Sequence, residues 1–328
     1  MNKLLEEHQI KLPHLFRRGL IEEVVNIEGL IKAVEDKRKI ILTFQRRPST
    51  ESITFAHLAQ LTLMKELQEA LDCEVVVSIL NDAFYFENNL NWEFNDKFVA
   101  SLVKDVQCIG FNPEKTRVLL ATEQIHHSYH NCAQIARNIP HAAVIEELGV
   151  TGSSSVGSIY NVAHGIALTV GSSLGEDDAH VVVFTTKDHS PYTRLAKRAF
   201  TGLNWEEPSY IYMKPLPALS GRDKAMTARV SPGLSTPFVR GVNIKNLINK
   251  KALSGGRQTL EEQRELGGII EIDIAFAYLE YFLENDAELE AISTAYSSGE
   301  MMTGELKAKC IEVMADLANK HNEAFMKL

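Results

Sequence analysis

Between Lys39 and Met213 the chain alternates short, continuous apolar runs with stretches of helical periodicity, and this alternation narrows the possible folds more than any other feature. Lys39-Ile-Ile-Leu-Thr-Phe44, Glu74-Val-Val-Val-Ser-Ile-Leu80, Arg117-Val-Leu-Leu-Ala121, His180-Val-Val-Val-Phe-Thr-Thr186 and Ser209-Tyr-Ile-Tyr-Met213 read as strands. Residues 55–71, with Met64, Leu67 and Leu71 on one face, 96–106 and 123–137 read as helices. Pro191 opens another, because its fixed φ and missing N–H suit a first turn. Strands that are apolar throughout and joined by helices predict an α/β fold, a parallel sheet covered on both faces. Ligands of such sheets bind beyond the carboxyl ends of the strands.

Beyond about Gly241 the strand signal stops. Thr259-Leu-Glu-Glu262 is a capping-box start, and residues 272–283 and 287–296 follow as helices. Thr303-Gly-Glu305 opens a long one, with Leu306, Cys310, Val313 and Leu317 on one stripe. The expected organisation is a helical lead-in over 1–30, a parallel-sheet domain over 31–240 and an all-α bundle over 241–328. Two segments interrupt the pattern. Residues 149–158 and 171–175 are rich in Gly and Ser, and 216–237 is Pro-rich without periodicity. Each reads either as connecting loop or as active-site loop.

Composition excludes several classes. The 328 residues carry 34 Lys and Arg against 43 Asp and Glu, a net charge of −9, which argues against a uniformly basic polyanion binder. Local basic stripes remain compatible with RNA. Cys73, Cys108, Cys132 and Cys310 form no C-x-x-C pair, so free thiols of a reducing cytosol are expected and no structural metal. The acidic first residues lack a signal-peptide core, and the apolar stretch 269–283 is interrupted by Glu271, Asp273 and Glu280, so a cytoplasmic protein without membrane spans is expected.

No G-x-G-x-x-G follows the first strand and no G-x-x-x-x-G-K-[ST] occurs, which removes the usual dinucleotide and P-loop readings. His126 and His130 stand four apart on a helix, as zinc ligands do, but His127 replaces the glutamate of H-E-x-x-H; solvated histidines are the competing reading. Arg240, Lys245, Lys250, Lys251 and Arg257 form a run with no acid before Thr259, either a solvated face or a set of RNA phosphate contacts. From 261 to 290 the balance reverses, with many acids and only Arg264.

The first strand-turn-helix, Leu42-Thr-Phe-Gln-Arg-Arg-Pro-Ser-Thr-Glu-Ser-Ile-Thr-Phe-Ala-His57, resembles that of eukaryotic-type tryptophanyl-tRNA synthetases. Those enzymes carry a T-G-R-G-P-S-S-E turn, matched here at Arg47-Pro-Ser-Thr-Glu51, and a His-x-Gly-His helix start, matched at Thr54-Phe-Ala-His57. Leu15-Phe-Arg-Arg-Gly19, Gly110-Phe-Asn-Pro-Glu-Lys115, Leu253-Ser-Gly-Gly-Arg-Gln-Thr-Leu-Glu-Glu262, Phe282-Leu-Glu-Asn-Asp286 and Met302-Thr-Gly-Glu-Leu306 resemble further family segments, so the likeness covers nearly the whole chain. It implies a Rossmann-type class I catalytic domain followed by a helical anticodon-binding-type domain, and a homodimer. ATP (with Mg), tryptophan and tRNA would be the ligands of an active member.

The catalytic motifs depart from that pattern. Adenylate formation asks the protein to place reactants and stabilise charge on the transferring phosphates. Of the first signature Thr54 replaces a histidine, Ala56 replaces the glycine against which adenine lies, and only His57 remains. The nucleotide-binding-like turn is Arg46, Arg47, Pro48, Ser49 and Thr50. The family's Lys-Met-Ser-(Ala/Lys)-Ser is best matched by Ala225-Met226-Thr-Ala-Arg229, with Lys224 and Arg229 as possible surrogates for the lost lysine. In the amino-acid-pocket-like positions, Thr43 stands for a tyrosine, Ser78 for a glutamine, Ala83 for a glutamate and Val162 for a glutamine, while Asp82 is kept. The resemblance therefore implies a homologue deficient in tryptophan activation, requiring no cofactor and retained as a pseudoenzyme that binds RNA or a protein. The alternatives are a working tryptophan–tRNA ligase with a rebuilt ATP site, or a small-molecule sensor built in the same crevice.

Overall fold

The computed structural model describes residues 13–88, 92–171, 178–225 and 237–328. These divide into two compact units, Ile21–Glu51 with Leu63–Lys214, and Pro13–Leu20 with Ser52–Thr62 and Pro215–Leu328. The expected bounds at 30 and 240 rest on periodicity; by contacts the chain divides after Lys214, with α1 (His14–Arg17) in the second unit and Ile21–Val25, a strand, in the first.

The first unit carries a sheet in the order β1-β6-β5-β2-β3-β4. In chain order its elements are β1 (Ile21–Val25), α2 (Ile27–Glu35), β2 (Ile40–Arg46), α3 (Phe55–Leu71), β3 (Glu74–Ile79), α4 (Ala83–Asn88), α5 (Trp92–Gln107), β4 (Thr116–Leu120), α6 (Ala121–Asn138), α7 (His141–Leu148), α8 (Val156–Gly171), β5 (His180–Thr186), α9 (Ser190–Leu203) and β6 (Ser209–Met213). The first turns of α3 belong to the second unit. β2 to β6 are parallel, as their continuous apolar runs require; Ile41, Leu42, Val75, Val76, Val77 and Val182 are all essentially buried. Burying each such side chain contributes roughly 1.5–3 kcal/mol.

β1 adds an antiparallel edge strand, paired with β6, to the parallel sheet that the sequence predicts. Its half-exposed Ile-Glu-Glu-Val-Val has no apolar run to announce it. α8 corrects the loop expectation for 149–158. The Gly/Ser stretch ends at Ser155, whose hydroxyl accepts from the Ser158 N–H at 3.1 Å and so starts a helix. α8 is buried over much of its length and packs on α6 and α9 through Ile135, Val162, Ile166, Leu195 and Phe200. Residues 172–177, which include most of the second Gly/Ser stretch, lie outside the described residues.

The second unit holds a short hairpin, β7 (Pro217–Ala218) and β8 (Gly221–Ala225), inside the stretch expected to lack order, then α10 (Ile244–Lys251), α11 (Leu260–Leu266), α12 (Ile274–Phe282), α13 (Asp286–Ser297) and α14 (Thr303–Lys327). The capping box forms at α11: the Thr259 hydroxyl accepts from the Glu262 N–H at 3.1 Å, and the Glu262 carboxylate accepts from Thr259 N–H. Thr259→Ala is expected to cost about 1 kcal/mol, read as a lower urea midpoint of this unit. Gly267 ends α11 at φ +69°, and a Cβ there would lie 1.8 Å from the Ser297 carbonyl oxygen, so no other residue fits.

The α14 stripe also needs correcting. Leu306, Cys310, Met314, Ala318 and His321 are its buried positions, while Val313 and Leu317 are half-buried. The stripe thus repeats mainly every four residues. α1 docks on the same unit: His14 Nε2 lies 2.9 Å from the Tyr281 carbonyl, and Arg17 and Arg18 each approach Asp286 at 2.7 Å.

Candidate active-site crevice

Strand order reverses between β2, which leads on to β3 and β4, and β5, which leads on to β6. Crossovers leave in opposite directions there, which opens a crevice at the carboxyl ends, Arg46 and Thr186. Alternation along β2 sends Thr43 and Gln45 to one face, and Phe44 and Arg46 to the other. Gln45 crosses to α8, where its amide donates to the Gly165 carbonyl at 2.8 Å and to Thr169 Oγ1 at 2.9 Å. Thr43 is buried with its hydroxyl unpartnered.

On the opposite face Arg46 is half-buried, and its Nε is enclosed without a partner. Burial pushes the guanidinium down to about 10, with Asp105 pulling in the opposite sense. Ser49 Oγ is likewise enclosed and unpartnered, and Thr50 Oγ1 lies a long 3.5 Å from Arg46 Nη2. Pro48 is buried, and Arg47 half-buried. This turn therefore contains a cation and a hydroxyl with unused N–H and O–H groups, suited chemically to an anion.

Beyond β3, Asn81 and Thr122 bond reciprocally at 2.8 and 3.2 Å, which fixes the loop that carries Asp82. Asp82 Oδ2 meets His164 Nδ1 of α8 at 3.1 Å, both residues buried. Asp82 Oδ1 and His164 Nε2 are enclosed and unpartnered. A buried polar atom left in that state costs roughly 1–3 kcal/mol. Ser78 and Ala83 are buried beside this loop, and Val162 faces the apolar cluster with Ile135 and Leu195.

In the second unit, the start of α3 is closed on itself. His57 Nδ1 accepts from the Thr54 N–H at 3.2 Å and lies 2.7 Å from Thr54 Oγ1. The imidazole thus serves a turn whose first N–H groups need acceptors. Ala56 is half-buried. Lys224 and Ala225 lie on β8, while Met226 and Arg229 fall outside the described residues.

No family model matches the chain. Against individual proteins the likeness is extensive. It is 32% identical over 320 residues to the cytoplasmic tryptophan–tRNA ligase of Oryctolagus cuniculus, covering 94% of this chain and 67% of that protein. It is 31% identical over 316 residues to the tryptophan–tRNA ligase of Encephalitozoon cuniculi, covering 95% and 81%. A product-bound parasite tRNA synthetase superposes with a TM-score of 0.94 at 29% identity, over 100% of this chain and 88% of that one. The chain belongs to the tryptophanyl-tRNA synthetase family.

For this synthetase homologue the sheet with its flanking helices is therefore the class I architecture, followed by the family's helical region. The basic run is not one surface. Arg240 stacks on Phe325 at 3.7 Å, and Arg257 donates to the Gly267 carbonyl at 2.8 Å, closing the end of α11. Lys245, Lys250 and Lys251 are exposed on α10, without an ion pair among the described residues. His126, His127 and His130 are exposed on α6, and among the described residues no three His, Cys, Asp or Glu gather to hold a metal. Among those residues no helix is long and apolar enough to cross a membrane. Cys73, Cys132 and Cys310 are buried with thiols pushed up by burial, Cys73 to about 12.

In the sequence Phe44 and Gln45 stand where the family's turn has glycine and could block the adenine face; the bond of Gln45 to α8 is what the structure adds, and His164 as the partner of Asp82 was missed. The available signal was a histidine within the otherwise apolar Val162-Ala-His-Gly-Ile-Ala-Leu168.

Proposed function

We propose that this synthetase homologue does not form tryptophanyl-adenylate at a useful rate and acts as a binding or regulatory protein. One observation carries the reading: Gln45, at the mouth of the switch-point crevice, is tied across it to Gly165 and Thr169. A polar bridge held at both ends fills the strand end where a class I enzyme needs open backbone for its nucleotide. The losses at Thr54, Ala56, Ala83 and Ala225 point the same way. Tryptophan-dependent ATP–pyrophosphate exchange tests it, and background exchange is the expected result.

A second reading, an active tryptophan–tRNA ligase, draws on a specific observation as well. The unpartnered Arg46 Nε and Ser49 Oγ suit a phosphate; by resemblance to the family's signatures an active ligase would also call on His57, Lys224 and Arg229. Magnesium would then accompany ATP, held chiefly by the phosphates. The same assay separates the two readings.

The partner class that the surface supports best is RNA. Lys245, Lys250 and Lys251 offer phosphate contacts on a unit that is otherwise acidic from 261 to 290. Lys250→Glu with Lys251→Glu is expected to weaken binding to total tRNA at least about tenfold and to flatten its salt dependence by roughly two charges. Filter binding over a salt series reads both. Unchanged binding in the double variant would leave a protein partner as the better reading. A cytoplasmic homodimer is the form expected of it, checked by light scattering and fractionation.

A further inference from the structure

We propose that the solvent face of α6 binds a divalent transition-metal ion through the paired imidazoles of His126 and His130. The site lies on one helix of the first unit, on the side turned away from α8 and α9, and the proposal is independent of whether tryptophan is activated.

The argument starts from the period of the helix. Glu123, His126, His127 and His130 stand at successive spacings of three, one and three, so at 3.6 residues per turn they fall within a stripe of about 100°. The buried positions Ala121, Ser128, Cys132 and Ile135 lie round the opposite side. Cys132 and Ile135 pack into the cluster with Val162 and Ile166 of α8 and Leu195 and Phe200 of α9, which holds the backbone beneath the stripe from its far face. The three histidines and Glu123 are exposed, and none of the four side chains has a hydrogen bond or ion pair among the described residues.

A plain solvated face is built differently, with Lys or Arg set among acids at i, i+4. No Lys or Arg occurs between Arg117 and Arg137, so this stripe carries three imidazoles and a carboxylate with no fixed cation beside them. That is a donor set, and its chemistry selects the ion. Imidazole suits zinc, copper and nickel, whereas magnesium and calcium need more oxygens than one carboxylate supplies. His126 and His130 form the chelating pair because side chains four apart on a helix lie one above the other, with Cβ atoms about 5–6 Å apart. One ion at about 2.0–2.1 Å from a nitrogen of each bridges them within staggered rotamers. His127 stands about 100° round the helix from His126, and its own neighbour at that spacing is Glu123. No three His, Cys, Asp or Glu gather among the described residues, so water completes the shell and the ion exchanges freely, unlike a structural metal.

The test is isothermal titration calorimetry of the full chain, prepared without a polyhistidine tag, against zinc chloride, with magnesium and calcium chlorides as controls. One zinc ion per chain and no binding of the controls is expected. The second imidazole binds as an intramolecular step, so His126→Ala and His130→Ala should each weaken affinity about tenfold or more, and His127→Ala less than about threefold. All three positions are exposed, so the variants keep the fold, which circular dichroism checks. Electron paramagnetic resonance with one equivalent of copper(II) should show two equatorial imidazole nitrogens in the wild type and fewer in His126→Ala or His130→Ala. Absence of zinc binding, equal binding of magnesium, or a loss in His127→Ala as large as in His126→Ala overturns the proposal. So does undiminished binding when His126→Ala and His130→Ala are combined, which would place the ion on other groups.

Discussion

Purified protein given tryptophan, ATP and labelled pyrophosphate is expected to show exchange indistinguishable from a no-enzyme control. The reason is how little covalent work adenylate formation asks of the protein. Nearly all the acceleration comes from placing reactants and stabilising charge on the phosphates. Removing one preorganised donor to a developing charge costs about 10²–10³ in rate. On the proposed match to the family's signatures two such donors are replaced, at Thr54 and Ala225, and two lost donors would compound to about 10⁴ or more on that figure. The methyl of Ala56 and the Gln45 bridge act on binding and come in addition. A variant carrying Thr54→His, Ala56→Gly, Ala225→Lys and Gln45→Gly together should exchange measurably above the wild type, while each single change should not. Wild-type turnover in the ordinary enzymatic range, about 1 per second or faster, would contradict the reading and favour a phosphate site built on Arg46 and Ser49.

The largest stability effect should come from Asp273→Ala in the helical unit. Asp273 is fully buried. One carboxylate oxygen accepts from Gly255 N–H at 2.8 Å and the Tyr296 hydroxyl at 2.9 Å; the other caps α12 through Ala275 N–H at 2.9 Å and Phe276 N–H at 3.2 Å. The connection 252–273, the helix start and α13 thus meet on one side chain. Burial pushes the Tyr296 phenol up to about 12, so it stays a donor at any ordinary pH. Alanine removes the cap, leaves the Gly255 N–H enclosed without its acceptor and the Tyr296 hydroxyl with only the longer contact to Thr303 Oγ1 at 3.3 Å, and is expected to cost about 3–5 kcal/mol. Asp273→Asn keeps one acceptor oxygen and should lose less. Hydrogen exchange at the α12 amides reads this unit apart from the other one. Protection falling by less than tenfold in Asp273→Ala would show that the carboxylate is not the junction described here.

How legible each part was follows from the range of the interactions involved. The bounds of α3, β5 and β6 coincide with the sequence expectation because their signals are local, a helical stripe in one case and unbroken apolar runs in the others. β1 was invisible since an edge strand with Glu22 and Glu23 has no run to read. The start of α8 was obscured because Gly and Ser suit a loop and a cap equally, and only the Ser155–Ser158 bond distinguishes them. Asp273 looked like an interruption of an apolar stretch; in the folded chain it is the acceptor the stretch requires.

The candidate site divides in the same way. Motif order along the chain was enough to point to the family, and the proposal that signature donors are lost rests on residue types alone, since no fold turns Thr54 or Ala225 into a cation. What those residues face was settled only by tertiary structure. Arg240 and Arg257 left the basic run because a ring and a helix end claim them, and Gln45, His164 and Arg46 gained meaning from neighbours on other elements. Local propensity and patterning act over a few residues and are written in the chain; pairing, burial and orphaned polar atoms depend on groups as far apart as His14 and Tyr281, 267 positions, which no local rule encodes.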